Sequence, residues 1–279
     1  MDSSEFQLKA GRQVFHAIAW LPETPMRAGI ALVHGQGEHC GRYDHFSEFF
    51  NDQGIGVMGI DHTGHGMTAG ARGHIARYDD YLDGVEALVA EWRRREPHLP
   101  LFLYGQSMGG NIAANYLLRR DGDVLGAICS SPWFQLAFKP PAFKLHLASL
   151  MVRMLPSYAE ANGLNADDLS RDPVVSRDYR NDPLVHDKIS AGAFFGIHKA
   201  GQWALDHADS LRVPLLVMHG SADKLTSAPA SKTFALKAGL LAHYVEWPGA
   251  FHELHNETNR MDVLRTALEW MDERLAAKA

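Results

Sequence analysis

The stretch Leu101–Asn111, LFLYGQSMGGN, decides how this sequence is interpreted. Its first four residues have the apolar and aromatic character of a strand, and they run into the pattern G-x-S-x-G around Ser107. Apolar residues at helical spacing follow at 112–118. This is the strand–turn–helix context of a nucleophile elbow, in which a Cβ at Gly105 or Gly109 would collide with its neighbours. The pattern predicts a serine hydroxyl at a sheet edge, above a helix N-terminus that favours negative charge.

The composition is that of an ordinary globular protein. A chain of 279 residues, 46% of them hydrophobic and 22% charged, fits one large domain or a core with an insertion. The net charge of −6 is spread along the chain, and the one tight basic run, Arg93–Arg95, suits the end of a helix. The charge pattern therefore gives no indication of nucleic-acid binding.

The cysteines and the N-terminal segment bear on the compartment. Cys40 and Cys129 are too few for a disulfide framework. Residues 1–5, MDSSE, have neither the basic region nor the apolar core of a signal peptide. No segment approaches the ~20 apolar residues that span a bilayer. We therefore expect a soluble, cytoplasmic protein.

Strand-like and helical segments alternate along most of the chain. The strand-like segments lie at 6–10, 13–20, 29–33, 55–60, 101–104, 124–129, 213–218 and 243–247. Most are followed by a polar, glycine-rich loop, and helical patterns separate them. This alternation predicts an α/β fold with a mostly parallel eight-stranded sheet, helices on both faces and functional residues at the carboxyl ends of the strands.

The alternation breaks between Trp133 and about Asp209. The segment from Phe138 to Leu155 is rich in Phe, Leu and Met, the next part is polar and turn-rich, and 191–207 is helical again. We predict a helical cap at 133–209, inserted between core segments 1–132 and 210–279. Apolar residues at helical spacing also fit ordinary packing against the sheet, and both interpretations of the Phe138–Leu155 segment stay open.

A serine nucleophile needs a base, and the base needs a third group that fixes its tautomer. In the α/β-hydrolase fold these arrive in the order Ser, Asp or Glu, then His. The chain supplies Ser107, Asp223 after a buried strand and His252 after the last strand. Alone, Asp223 would be a turn or N-cap residue and His252 a surface histidine. Their order and their positions at strand ends predict a catalytic triad.

A tetrahedral intermediate needs N–H donors aimed at its oxyanion. The Met108 N–H follows the nucleophile, and the second donor is expected in the loop His34–Gly37. We predict an oxyanion hole formed by the main chain of Gln36 and Met108. The alternative for this loop is a plain turn.

Paired histidines raise the alternative of a metal site. His255 comes three positions after His252, whereas the second histidine of a zinc-binding H-E-x-x-H helix comes four positions after the first. The pairs His34/His39 and His62/His65 come without an aspartate-rich loop. We expect neither a catalytic metal nor a cofactor, and interpret His34, Asp61, His62 and His65 as braces of the loops.

Six motifs, in chain order, resemble those of monoacylglycerol lipases and their lysophospholipase relatives. They are HGQGEHCGRY at 34–43, DHTGHG at 61–66, GQSMGG at 105–110, NDPL at 181–184, GSADK at 220–224 and HELHNE at 252–257. The resemblance covers nearly the whole chain. Gln106 departs from it, because the family's elbow has histidine at that position.

The resemblance implies a capped α/β hydrolase that cleaves lipid-like carboxylic esters, with Ser107, Asp223 and His252 as triad and Gln36 and Met108 at the oxyanion. We expect a monoacylglycerol-like substrate, an acyl chain under the cap and transient contact of the cap with a membrane or micelle. A lysophospholipase, a short-chain carboxylesterase and a non-enzymatic binding protein on a hydrolase scaffold are the alternatives. The oligomeric state stays open.

Overall fold

The computed structural model describes residues 3–120, 122–139, 155 and 157–278. Its strands are β1 (Ser3–Ala10), β2 (Gln13–Trp20), β3 (Ala28–Val33), β4 (Ile55–Ile60), β5 (Leu101–Gln106), β6 (Gly126–Ser130), β7 (Ala159–Ala161), β8 (Lys188–Ser190), β9 (Leu215–Gly220) and β10 (Ala242–Trp247). Its helices are α1 (Asp44–Asn51), α2 (Asp79–Arg95), α3 (Met108–Arg119), α4 (Pro173–Asn181), α5 (Ala191–Asp206), α6 (Ala228–Ala238) and α7 (Arg260–Lys278).

Eight strands form one sheet in the order β1-β2-β4-β3-β5-β6-β9-β10. Strand β2 runs antiparallel to β1 and β4, and the other neighbours are parallel. The predicted mostly parallel eight-stranded sheet of an α/β hydrolase is therefore confirmed. Register places Val33 beside Gly105 and Gln106 beside Ser130, so the loops that follow β3, β5 and β6 leave the sheet side by side.

Helices cover both faces of the sheet. One core cluster joins the sheet to α2, α3, α5 and α6, and a second joins its other face to α1 and α7. On the second face the ring of Phe46 lies 4.4 Å from that of Tyr104, and Trp270 packs edge-on against Phe102 at 6.0 Å. Each such buried aromatic side chain contributes about 2–3 kcal/mol through the apolar surface it removes from water. Burial on both faces explains why β3 and β4 consist of apolar residues and glycine throughout.

The segment predicted as a cap contains two kinds of structure. Helix α5 places small and apolar residues, among them Ala193, Ile197 and Ala204, in the same core cluster as α3, so it belongs to the helical layer over the sheet. Strands β7 and β8 pair with each other, apart from the main sheet. The boundaries at 133 and 209 stay a prediction, and residues 140–154 of the apolar segment lie outside the described residues.

None of the helices in the described part of the chain combines the length and the apolar character needed to cross a bilayer.

Candidate active site

Ser107 lies in a strained turn between β5 and α3. Its φ of 56° and ψ of −114° fall in a region that residues with a side chain rarely adopt. A Cβ on Gly105 would overlap the carbonyl oxygen of Gly109, and one on Gly109 would overlap that of Val33, so the predicted collisions are confirmed. The Ser107 N–H donates to the Ser130 carbonyl at 2.9 Å, which fixes the turn against β6. The sequence therefore folds into an elbow because only glycine fits on either side of this serine.

Asp223 and His252 form a buried pair beside the elbow. His252 Nδ1 lies 2.7 Å from Asp223 Oδ2, and both side chains are almost fully enclosed. The turn after β9 holds the carboxylate, since the Leu225 and Thr226 N–H groups donate to Oδ1 at 2.8 and 3.1 Å. Oδ2 additionally lies 2.8 Å from the Thr226 hydroxyl and 3.1 Å from His219 Nε2.

The opposite charges of Asp223 and His252 shift the pKa of each other. Burial acts to raise the pKa of Asp223, but the His252 charge and the hydrogen bonds from His219 and His252 outweigh it and hold that pKa well below its usual range. Burial acts to lower the pKa of His252, and the Asp223 carboxylate more than reverses this, so the pKa of His252 lies above its ordinary value. The arrangement suits an imidazole that takes up a proton during a reaction.

Gln106 joins the elbow to the histidine loop. Its Nε2 donates to the His252 carbonyl at 3.0 Å, so the residue before Ser107 holds the backbone of the histidine. Among the described residues the Ser107 hydroxyl has no hydrogen bond to His252. Hydrogen bonds between catalytic groups are often long before substrate binds. The structure thus brings Asp223 and His252 together directly and anchors the His252 loop to the elbow.

The loop after β3 carries Gln36. The Gln36 side chain donates to the Lys188 carbonyl at 2.6 Å and accepts from Asn162 Nδ2 at 2.7 Å. The next residue, Gly37, accepts a hydrogen bond from the His186 N–H at 2.9 Å. Residues 162–188 therefore hold this loop from outside the core. Met108 is the first residue of α3, where N–H groups have no partner within the helix.

A buried ion network connects the Gln36 loop to the His252 loop. Arg42 lies 2.5 Å from Glu38 Oε2 and makes two 2.8 Å hydrogen bonds to Glu253. Glu38 also accepts from the Gly35 N–H at 2.6 Å and the Tyr43 hydroxyl at 2.9 Å. One guanidinium thus ties the residue next to His252 to the loop that carries Gln36.

Arg42 is shared unequally between the two carboxylates. Burial raises the pKa of Glu253, but the charge and the paired hydrogen bonds of Arg42 overcome it and lower that pKa to about 2. For Glu38, burial prevails over the single contact with Arg42, and the negative charge of Glu253 adds to it, so the pKa of Glu38 is raised. The network is therefore held mainly by the Arg42–Glu253 pair.

The predicted bracing of the loops is confirmed for His34 and Asp61. His34 Nδ1 lies 2.7 Å from the Gly35 carbonyl, and the N–H of His62 donates to its Nε2 at 2.9 Å. Asp61 accepts from the N–H groups of Cys40 and Met67, both at 2.9 Å.

The rings of His62 and His65 are buried next to His34, and the Nε2 of each has no partner within the described residues. Burial lowers the pKa of His62 to about 4 and holds that of His65 well below its usual range. Both rings are therefore neutral at pH 7.

The described residues place one group of potential metal ligands together, formed by His16, Cys40 and Asp61. Asp61 is already engaged there by His16 Nδ1 at 3.0 Å and by the two backbone N–H groups. Ordinary hydrogen bonding accounts for this group.

The sequence did not point to three residues around the Asp223–His252 pair, namely Thr226, His219 and Glu253. A signal existed for His219, because a polar residue inside the apolar strand 215–220 needs a buried partner. Glu253 carried no such signal, since its partner Arg42 is 211 positions away in the sequence.

The fold and the site define a class. An eight-stranded α/β sheet with a serine elbow after its fifth strand and an aspartate–histidine pair at the same edge is the architecture of an α/β hydrolase.

Comparisons with known proteins give the family. Residues 24–259 match the family model described as serine aminopeptidase, S33, and the chain belongs to that family. The monoacylglycerol lipase of Mycolicibacterium smegmatis is 33% identical over 254 residues, which are 90% of each chain. Phospholipase YtpA of Bacillus subtilis is 35% identical over 91% of this chain and 98% of its own.

A solved structure agrees. The monoacylglycerol lipase of Paleococcus ferrophilus superposes with a TM-score of 0.85 at 30% identity, over 93% of this chain and 99% of that one. The chain spans only 29% of the length of a further relative, an uncharacterized abhydrolase domain-containing protein of Dictyostelium discoideum. Family and fold make the chain a serine ester hydrolase, which supports the expected enzyme rather than a non-enzymatic binding protein.

Proposed function

We propose that this chain hydrolyses esters with a single acyl chain, monoacylglycerols in particular, through an acyl-enzyme on Ser107. The observation that carries the proposal is the buried 2.7 Å contact between His252 and Asp223, on a loop that Gln106 ties to the elbow. The monoacylglycerol lipases among the relatives support the substrate class.

In the acylation step, Ser107 Oγ attacks the ester carbonyl carbon while His252 Nε2 takes its proton. Asp223 holds Nδ1–H and stabilises the imidazolium that forms. The carbonyl oxygen becomes an oxyanion, which the N–H groups of Met108 and Gln36 bind. The ester C–O bond then breaks, and the alcohol leaves with the proton from His252.

Deacylation repeats this chemistry with water. His252 removes a proton from the water, the hydroxide adds to the acyl carbon, and the fatty acid departs as Ser107 Oγ regains the proton. Asp223, fixed by its own turn, keeps the same position in both halves of the cycle.

The acyl chain would lie under a cap drawn from residues 133–209. The half-exposed side chains of Phe138, Leu155 and Tyr158 support an apolar surface there, which would also rest transiently on a membrane or micelle.

Two experiments test the proposal. A fluorophosphonate probe is expected to label the wild-type protein and not Ser107→Ala; equal labelling of both would refute a nucleophilic Ser107.

Rates on p-nitrophenyl acetate through decanoate are expected to rise with chain length. Equal kcat/KM for acetate and decanoate would argue against an acyl-binding cap.

A lysophospholipase is the second candidate, favoured by the 35% identity to phospholipase YtpA. Initial rates on monoolein and lysophosphatidylcholine, presented in the same detergent micelles, separate the two. The proposal expects monoolein to be the better substrate, and a reversed preference would replace it with the lysophospholipase.

A further inference from the structure

A second imidazole, that of His219, touches the carboxylate that orients the proposed base. His219 lies near the end of β9, four residues before Asp223, and it is fully buried. Its Nε2 lies 3.1 Å from Asp223 Oδ2, the same oxygen that contacts His252 Nδ1 at 2.7 Å. Asp223 Oδ2 is therefore contacted by two imidazoles and, at 2.8 Å, by the Thr226 hydroxyl.

The neighbours of His219 define its tautomer. Nε2 faces the Asp223 carboxylate and also the Thr226 carbonyl at 3.2 Å, and both of these can only accept. The Thr226 hydroxyl, at 3.4 Å from Nε2, has acceptors of its own in Asp223 Oδ2 at 2.8 Å and the Ser131 carbonyl at 3.0 Å. Nε2 must therefore carry the hydrogen. Nδ1 lies 2.8 Å from the Ser231 hydroxyl, which can donate to it, so a neutral His219 has both ring nitrogens satisfied.

We propose that His219 is a positioning residue of this site, which fixes Asp223 Oδ2 in line with His252 and shares its negative charge. This inference rests on the proposed function, because it concerns the pair that would activate Ser107. The Nε2–H of His219 competes with His252 for one oxygen. Without it, more of the carboxylate charge is available to the imidazolium of His252.

The other charged groups that act on His252 are known from the structure. Glu253 follows it on the same loop and Glu38 lies on the loop after β3, with Arg42 between them. The hydrogen bonds of His219 go to Asp223, Thr226 and Ser231 and not to that network, so we expect its replacement to leave the network in place. A change in the titration of His252 can then be assigned to the Asp223 contact.

The test is the pH profile of kcat/KM in His219→Leu and His219→Gln. Leucine removes the donor, so the acid limb is expected to move up by about one pH unit, because the protonated form of His252 gains stability. Glutamine keeps an N–H donor and is expected to return the limb to the wild-type position. His16→Leu is the matched control, since it removes another histidine–aspartate hydrogen bond at 3.0 Å and is expected to leave the limb in place.

Three results would overturn the inference. One is an active His219→Leu enzyme whose Tm is lowered but whose acid limb has not moved, which would show that His219 contributes only to packing. The second is an equal shift in His16→Leu. The third is a nitrogen-15 NMR spectrum of the wild type in which His219 carries its proton on Nδ1, and this readout does not depend on any variant folding. A wild-type protein that neither labels nor turns over esters would instead refute the proposed function.

Discussion

Asp223 and the Gln36 loop, which we propose as the carboxylate side and the oxyanion side of the site, are held by different contacts. Asp223 is fixed by its own turn, through the N–H groups of Leu225 and Thr226 and the ring of His219. The Gln36 loop is fixed from outside, through Asn162, residues 186–188 and the Arg42 network. The Asp223 carboxylate is thus held within the core, whereas the Gln36 loop depends on contacts from residues 162–188.

This difference indicates which changes remain local. Apart from His252, the hydrogen-bond partners of Asp223 lie within four positions of it in the sequence, so a change at this turn is expected to stay local. Damage to the oxyanion side spreads, because its contacts join residues that are more than 100 positions apart, as Gln36 and Asn162 are.

The largest effect is expected from Asp223→Asn. The amide cannot fix the required tautomer of His252, so kcat/KM for p-nitrophenyl butyrate should fall about 10⁴-fold. Asp182→Asn is the matched control, because Asp182 makes a 2.8 Å contact with His39 on the oxyanion side. It should cost less than about tenfold. Asp223→Asn activity above a tenth of wild type would remove Asp223 from the mechanism.

The Arg42 network should give the next largest effect, on stability. Arg42→Met leaves Glu38 and Glu253 buried without their cation, which is expected to lower the free energy of unfolding in urea by about 3–5 kcal/mol. The matched control is Arg265→Met, since Arg265 pairs with Asp262 on the surface and should contribute less than about 1 kcal/mol. Equal losses from both variants would contradict the distinction between the two pairs.

Gln36→Ala should separate the two sides of the site by kinetics. It removes both side-chain contacts to residues 162–188, so kcat is expected to fall about tenfold on acetate esters, which are too short to depend on an acyl site. The matched control is Gln135→Ala, because Gln135 bonds to Gln202 at 3.4 Å away from this loop. A change in KM alone would show that Gln36 affects binding and not the geometry of the oxyanion loop.

The smallest effect concerns acid stability. The pKa of His62 is about 4 in the folded protein, below its ordinary value, so only the unfolded chain takes up a proton near pH 5.5. Folding stability from this group is therefore lost as the pH falls from about 6.5 to 4. Between pH 7 and 5.5, the free energy of unfolding of His62→Phe, measured in urea, should fall by about 1 kcal/mol less than that of the wild type. Parallel stability curves would exclude this role for His62.

The sequence predicted the features that a short local pattern of residues indicates. The strands could be placed because each is a short apolar run, and the Asp223–His252 contact because both residues follow such runs at the same sheet edge. The pairing of Arg42 with Glu253 could not be predicted, since it follows from which loops the fold brings together.

Helix α5 shows the same limit. Its helical pattern was visible, but its place in the layer over the sheet depends on small residues that fit against α3. A helix face of small residues indicates where the helix packs only when its partner helix is known.

The contact between Gln36 and residues 162–188 has a consequence for chimeric enzymes. A designer who exchanges this segment for that of a relative, in order to change substrate range, also exchanges the support of the loop whose Gln36 amide we propose as an oxyanion donor. Residue 36 should therefore be transferred together with the grafted segment, as one module.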